Sequence, residues 1–323
     1  MAFADTVSVA KENVLIQAGD CSLTFLPQLG GKIASLRLGG RELLQAPLAP
    51  LAPRTPTMPF DASDASGWDE CLPSVAACSV STSGGTAEVP DHGDLWRVSW
   101  QVLRSSADSA TLRGECLSLP LRMDRALRLA VTENGYRLSL SYTVTNLGAH
   151  PAPWSWAAHP LFVAEPGDTI QLPASVTTLR LEGSGGRRLG TSGGSVTWPV
   201  ATLADGSLAD LSLAQPPSSG IGDKLFAGPL SPEENWCALT RPTAGVRIRF
   251  HFDPASTPYL GLWICYGGWP DRQGPKQVCV ALEPATAPVD SLAQTGLWSR
   301  TLAPGASFSW PMDVELDTIE RVN

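Results

Sequence analysis

Two stretches of the chain set an ionisable side chain among small neighbours and directly ahead of a proline. In residues 154–162, WSWAAHPLF, the side chains of Ser155, Ala157 and His159 share one face of a strand-like run, and Pro160 follows the histidine. In residues 277–292, QVCVALEPATAPVDSL, the residues Val278, Val280 and Leu282 alternate with Gln277, Cys279, Ala281 and Glu283, and Pro284 follows the glutamate. Such period-2 alternation is that of a β-strand with two distinct faces. One face is apolar; the other carries small residues beside a carboxylate, which leaves space for something to sit against the sheet. Proline donates no backbone hydrogen bond, so each strand is expected to stop there and present its polar side chain at its end. An imidazole titrates near neutrality and a carboxylate accepts protons readily, so His159 and Glu283 brought together have the makings of a proton-transfer pair. The remainder of the chain is then the scaffold that must bring them together.

That scaffold reads as strand and turn almost throughout. Residues 21–44 give strand, turn, strand, turn, punctuated by Pro27, Gly30, Gly31, Gly39 and Gly40. A Pro/Ala-rich passage over 45–59 has no periodicity and is expected to be a long surface loop. It leads to SGWDECLPSV (66–75), a Ser/Gly/Thr turn near 81–86, and PDHGDLW (90–96). Strands follow to residue 146. The clearest has Tyr136, Leu138, Leu140, Tyr142 and Val144 alternating with polar residues, after a hairpin turn at Glu133-Asn134-Gly135. Residues 164–231 hold short strands between Gly/Ser/Pro turns. Val246, Ile248, Phe250 and Phe252 alternate with Arg247, Arg249, His251 and Asp253, and residues 259–266 form an aromatic-rich strand ending in Gly267-Gly268. No amphipathic helix of ordinary length and no solenoid or propeller repeat is visible. The pattern predicts an all-β chain, a large antiparallel β-sandwich, with residues 1–323 as one domain.

Composition narrows the partners. The 323 residues are 43% hydrophobic and 17% charged, which suits a well-packed globular protein. A net charge of −8 argues against a nucleic-acid partner, which would require a basic surface. No stretch has the apolar length of a membrane span, and the first residues lack the basic start and continuous apolar run of a signal peptide, so a cytoplasmic location is expected. The seven cysteines contain no CxxC pair and are expected to be buried, reduced thiols.

Three segments in order, LPQLGGKIASLRLGGRELL (26–44), DHGDLW with AAHPLF (91–96 and 157–162), and YLGLWICYGG with ALEPATAPVDSL (259–268 and 281–292), resemble the aldose 1-epimerase family of galactose mutarotase-like proteins. The resemblance spans nearly the whole chain. It implies a β-supersandwich with a sugar site in a concave face and a small-molecule sugar as partner. It also implies a histidine general acid in an HP motif, matching His159, and a glutamate general base in an EP motif, matching Glu283. His92, the histidine before a glycine, would contact the sugar, and Asp223 in GDKLF matches a later aspartate of the motif. Anomer exchange moves one proton off the C1 hydroxyl and one onto the ring oxygen, which calls for these residue types and for no cofactor or metal.

The chain departs from that family where an Asn-Arg pair would precede the first histidine. The segment is SGWDECLPSV, with Trp68, Asp69 and Glu70 and no arginine. Trp68, or another aromatic, is expected at the wall of the cleft, although tryptophans such as Trp68, Trp96, Trp156 and Trp263 are more often core than sugar platforms. Asp69 and Glu70 would point to opposite faces of an extended segment, so one at most would reach the site. Arg54, Arg97, Lys224 and Arg272 are the cations near the motifs. Their scarcity favours an unphosphorylated sugar. Two other readings stay open: a glycoside hydrolase or lyase using Asp69 or Glu70 with Glu283, and a non-catalytic sugar-binding protein.

Overall fold

A computed structural model describes residues 13–298 and 300–321. Two antiparallel sheets make up most of it. The larger runs in the order Val14–Ala18, Cys21–Leu26, Lys32–Leu38, Trp68–Cys71, Ala157–Val163, Val278–Ala285, Tyr259–Tyr266, Ile221–Ala227, Thr178–Ser184 and Ser195–Thr197, with Arg41–Glu42 paired to Lys32–Leu38 as its eleventh strand. The smaller has eight strands: Thr169–Gln171, Trp236–Arg241, Val246–Phe252, Ser307–Thr318, Gly135–Asn146, Leu121–Thr132, Ser109–Glu115 and Gln101–Ser105. Helix among the described residues is confined to three-residue 3-10 turns. No described helix is long and apolar enough to cross a membrane. All seven cysteines are unpaired thiols, five of them buried.

The sheets face one another across a shared core. Leu262, Ile264, Val280 and Leu282 of the larger sheet pack in one cluster with Leu239, Ile248, Phe250, Val314 and Leu316 of the smaller. Each such side chain, fully buried, contributes about 1.5–3 kcal/mol relative to exposure. The alternating strands behave as their sequences require. Val246–Phe252 is buried at every second residue, and its other face carries ion pairs such as Arg247 with Asp317 at 2.8 Å. The hairpin at Glu133-Asn134 closes in register, with Thr132 opposite Gly135.

The middle of the larger sheet is different. Every residue of Cys279–Ala285 is buried, as are Ala157 to Phe162, so these strands are covered on both faces. Two-sided burial is the mark of a central strand with a second layer over its outer face. Here that layer is built from loops, and the site lies beneath it.

The prolines act otherwise than expected. Neither strand ends at its proline: Ala157–Val163 contains Pro160, and Val278–Ala285 contains Pro284. Between these neighbouring strands the pairing instead lapses, with Ala157 opposite Ala285, then Leu161 opposite Ala281, and nothing paired between. Both prolines fall in the same gap, so neither strand presents a donor there that its neighbour needs. The lapse is where His159 and Glu283 sit.

Candidate functional site

Glu283 and His159 project from adjacent strands on the face of the larger sheet turned away from the core. Glu283 is fully buried and His159 is 5% exposed, and His159 Nε2 lies 4.0 Å from Glu283 Oε1. Their strand neighbours Ala157, Ala281 and Ala285 leave the floor open, as the small-residue face required. On the next strand Gly261 stands opposite Glu283, and a Cβ there would come within 2.9 Å of Oε2. The glycine is the space in which the carboxylate lies.

Two strands from Glu283, Lys224 reaches back across that gap. Its Nζ donates to Glu283 Oε2 and stands 3.6 Å from Asp290 Oδ1, with the Phe226 ring centroid 5.3 Å away. Asp290 belongs to the loop that follows the Glu283 strand. Its backbone carbonyl accepts from the N–H groups of Val75 and Ala76, both at 2.9 Å, which pins that loop to the 72–76 segment.

His92 comes from the loop over the sheet. It takes the left-handed conformation, φ +60°, as does Gly93 at φ +68°, where a Cβ would fall 2.2 Å from the Leu72 carbonyl oxygen. A non-glycine residue there is strained, and such strain gathers at functional positions. The His92 ring stacks on Phe60 with centroids 3.6 Å apart and meets His159 edge-on at 4.9 Å. Its Nδ1 is 3.1 Å from the Asp91 carboxylate.

These groups line a cavity of about 400 Å³, walled by Phe60, Val75, Trp263 and Trp269, with Gln277 on one side and the exposed Asp61 and Asp91 at the mouth. That volume suits a small molecule. Burial pushes the His159 imidazole well below its usual 6.5, helped by His92, Lys224 and Lys32. Burial raises the Glu283 carboxyl; Lys224 opposes the rise and Asp290 adds to it. Among the described residues His159 Nδ1, Glu283 Oε1 and Asp290 Oδ1 are buried without a hydrogen-bond partner. No group of three or more described His, Cys, Asp or Glu side chains is disposed to hold a metal ion.

The other residues singled out from the sequence lie elsewhere. Trp68 is wholly buried in the main core, its ring 5.8 Å from that of Phe250, and does not line the cavity. Asp69 stands opposite His159 in strand register, yet it is bound to Lys32 at 2.5 Å and covered; Lys32 also approaches Asp64 at 3.4 Å, and Asp64 holds Arg54. Glu70 points the other way, into the core, where Trp156 Nε1 donates at 2.9 Å, Arg125 Nη1 at 3.0 Å and Tyr142 Oη at 3.1 Å. Asp223 accepts from Ser184 Oγ at 2.7 Å and Arg188 Nε at 2.8 Å, while its neighbour Lys224 faces the cavity. Of the four cations near the motifs only Lys224 lines the cavity; Arg97 holds Asp94 at 2.6 Å, and Arg272 donates to the Asp61 carbonyl at 2.6 Å.

Sequence reading did not place Phe60, Asp290, Trp269 or Gln277 at the site, and it treated Trp263 as core. Trp263 is half-buried, and its Nε1 donates to Gln277 Oε1 at 2.8 Å on the cavity wall. A signal for it was present. Trp263 shares its face with Gly261 and Cys265, two small residues in a strand opposite Glu283.

The sequence matches no protein-family profile and no curated protein sequence. Solved structures do match over nearly the whole chain. An Escherichia coli K12 protein provisionally named an aldose 1-epimerase is 20% identical, with a TM-score of 0.69 over 95% of this chain and 99% of its own. A galactose mutarotase related enzyme from Lactobacillus acidophilus is 16% identical, with a TM-score of 0.65 over 97% of this chain and 100% of its own. An aldose epimerase homologue from C. elegans is 13% identical, with a TM-score of 0.62 over 96% and 100%. The chain has the fold of the galactose mutarotase-like proteins.

Proposed function

We propose that this cavity binds a free aldose in its pyranose form and interconverts its α and β anomers. Glu283 takes the proton from the C1 hydroxyl, whose oxygen lone pair then forms the C=O bond of the open aldehyde. The electrons of the breaking bond between C1 and the ring oxygen go to that oxygen, which takes a proton from the imidazolium of His159. Rotation about C1–C2 and reversal of the same transfers closes the ring on the other face. The sugar stacks against Trp263, Trp269 or Phe60, and His92 lies within reach of a hydroxyl.

The observation that carries this reading is the separation of 4.0 Å between His159 Nε2 and Glu283 Oε1 on a cavity of monosaccharide scale. The two oxygens that exchange protons are both bonded to C1, so acid and base must converge from neighbouring positions. Burial lowers one group and raises the other. Imidazolium with carboxylate serves ring opening, and imidazole with carboxylic acid serves ring closure. Each pH unit by which the two pKa values approach narrows the gap between those states by about 1.36 kcal/mol, which favours a reaction that must run both ways.

A hydrolase needs two carboxyls across the bond, one of them protonated. Asp69 and Glu70 are held by Lys32 and Arg125 outside the cavity. Asp290, the carboxylate beside Glu283, is tied to it through the shared ammonium of Lys224, so the two flank one cation and do not face each other across a bond to be cleaved. Carboxylates outnumber the one paired lysine on the cavity lining, which supports a neutral, unphosphorylated sugar over an anionic one.

The test is anomer exchange followed by polarimetry or NMR over a panel of free and phosphorylated aldoses. Exchange above the spontaneous rate is expected for a free aldose, falling ~10²–10⁴-fold in Glu283→Gln with little change in sugar affinity. A wild type with no exchange on any sugar marks a binding protein, and cleavage of a glycoside marks a hydrolase.

A further inference from the structure

Glu283 presents two unlike oxygens. Oε2 accepts from Lys224 Nζ, and Oε1 has no partner among the described residues and faces His159 at 4.0 Å. A fully buried carboxyl ordinarily keeps its proton, and a protonated Glu283 could not take one from a sugar hydroxyl. Something must hold it ionised and choose which oxygen is free.

Lys224 is placed to do both. It arises on the Ile221–Ala227 strand, separated from the Glu283 strand by Tyr259–Tyr266, and enters where Gly261 leaves room beside Oε2. Its Nζ is held between Glu283 and Asp290 and flanked by Phe226, so the ammonium has little freedom to leave. Asp290 is fixed in turn through its backbone carbonyl to Val75 and Ala76. The two carboxylates outweigh burial and push the lysine pKa up, so it stays charged.

We propose that Lys224 is a positioning residue for anomer exchange: clamped between Glu283 and Asp290, it holds Glu283 as a carboxylate with Oε2 engaged and Oε1 turned to the substrate. This rests on Glu283 acting as the base. Lys224 itself needs no contact with the reacting atoms. Asp290 sets the clamp's strength, because it shares the ammonium with Glu283 and repels the glutamate's charge.

The experiment is a ¹³C NMR titration of glutamate side-chain carboxyls in the full-length protein, with the Glu283 signal assigned by its loss in Glu283→Gln. An opposite charge within about 4–6 Å lowers a carboxyl's midpoint by ~1–3 pH units, so Lys224→Met should raise the Glu283 midpoint by at least ~1 pH unit. Lys224→Arg should leave it near the wild-type value. Asp290→Asn should lower it, since Lys224 remains and the repelling charge is gone. At a pH below both the wild-type and the raised midpoint, kcat of Lys224→Met should drop ~10-fold for each pH unit by which the midpoint has risen, with KM nearly unchanged, as the carboxylate fraction falls. A lysine that merely braces the fold would lower stability and leave the midpoint where it was. Unmoved midpoints in folded Lys224→Met, or in Asp290→Asn should the methionine variant not fold, overturn the proposal. The titration requires no turnover, so it is decided separately from wild-type exchange, whose absence would remove the acid–base reading itself.

Discussion

Burial, with lesser contributions from His92, Lys224 and Lys32, holds the His159 pKa well below 6.5, so it rests as neutral imidazole at pH 7. The ring-opening half of the proposed reaction requires it protonated. Above the pKa values of the pair, the fraction carrying a proton on His159 and a charge on Glu283 falls tenfold per pH unit. We therefore expect kcat/KM for a non-ionising aldose to decline as pH rises above both midpoints, with the His159 ring titrating below 6.5 by NMR. A profile that stays flat above the NMR midpoints of both groups would show that the imidazole gives no proton to the ring oxygen. His159→Asn should slow exchange by ~10²–10⁴-fold. The double variant with Glu283→Gln should lose much less than the product of the two single losses, because both groups serve one transfer step.

At the scale of elements, the site is a local failure of sheet regularity. The two prolines coincide in one lapse of pairing, and Gly261 removes a side chain where Glu283 must lie. Adding one carbon at Gly261 would push the Glu283 carboxylate off Lys224 and toward His159. A misplacement on the order of 1 Å costs ~10²-fold in rate, so Gly261→Ala should cut kcat by about that factor while melting close to the wild-type temperature. Retained wild-type kcat would mean that the carboxylate has room the geometry does not provide. The His92-Gly93 turn is the matching device above the sheet: Gly93 packs on the Leu72 carbonyl, and this sets the His92 ring against Phe60 and His159.

At the scale of the molecule, the strand behind the site is anchored across the core. Glu70, on the larger sheet, binds Arg125 and Tyr142 of the smaller, and Arg125 also donates to the Gly31 carbonyl. All of these are fully buried, so removing one partner leaves a charge stranded. Arg125→Met should destabilise the protein by about 3–5 kcal/mol in a urea titration, and adding Glu70→Gln should recover part of that loss. A loss under about 1 kcal/mol would show the pair to be no more than a surface-like contact. Glu70 and Asp69 are adjacent and point oppositely, so this anchor also fixes the strand that lies in register with His159.

Much of this was legible in the sequence because it is local. Alternation in residues 136–145 and 246–252, the Asn-Gly turn, and the Pro and Gly punctuation each act within a few residues, and they specify antiparallel strands without help from the rest of the chain. The small residues beside His159 and Glu283 marked an open face for the same reason. What local pattern cannot carry is which strands become neighbours and what covers them. Lys224 meets Glu283 from two strands away, Asp290 is fixed by a contact with residues 75 and 76, and Phe60 arrives at the end of an aperiodic loop. Trp68 and Asp69 share a segment with the features that pointed to a site, yet partners far along the chain, Phe250 for one and Lys32 for the other, draw them out of it. A strand's period tells which residues share a face; only the packed sheets decide what each face meets.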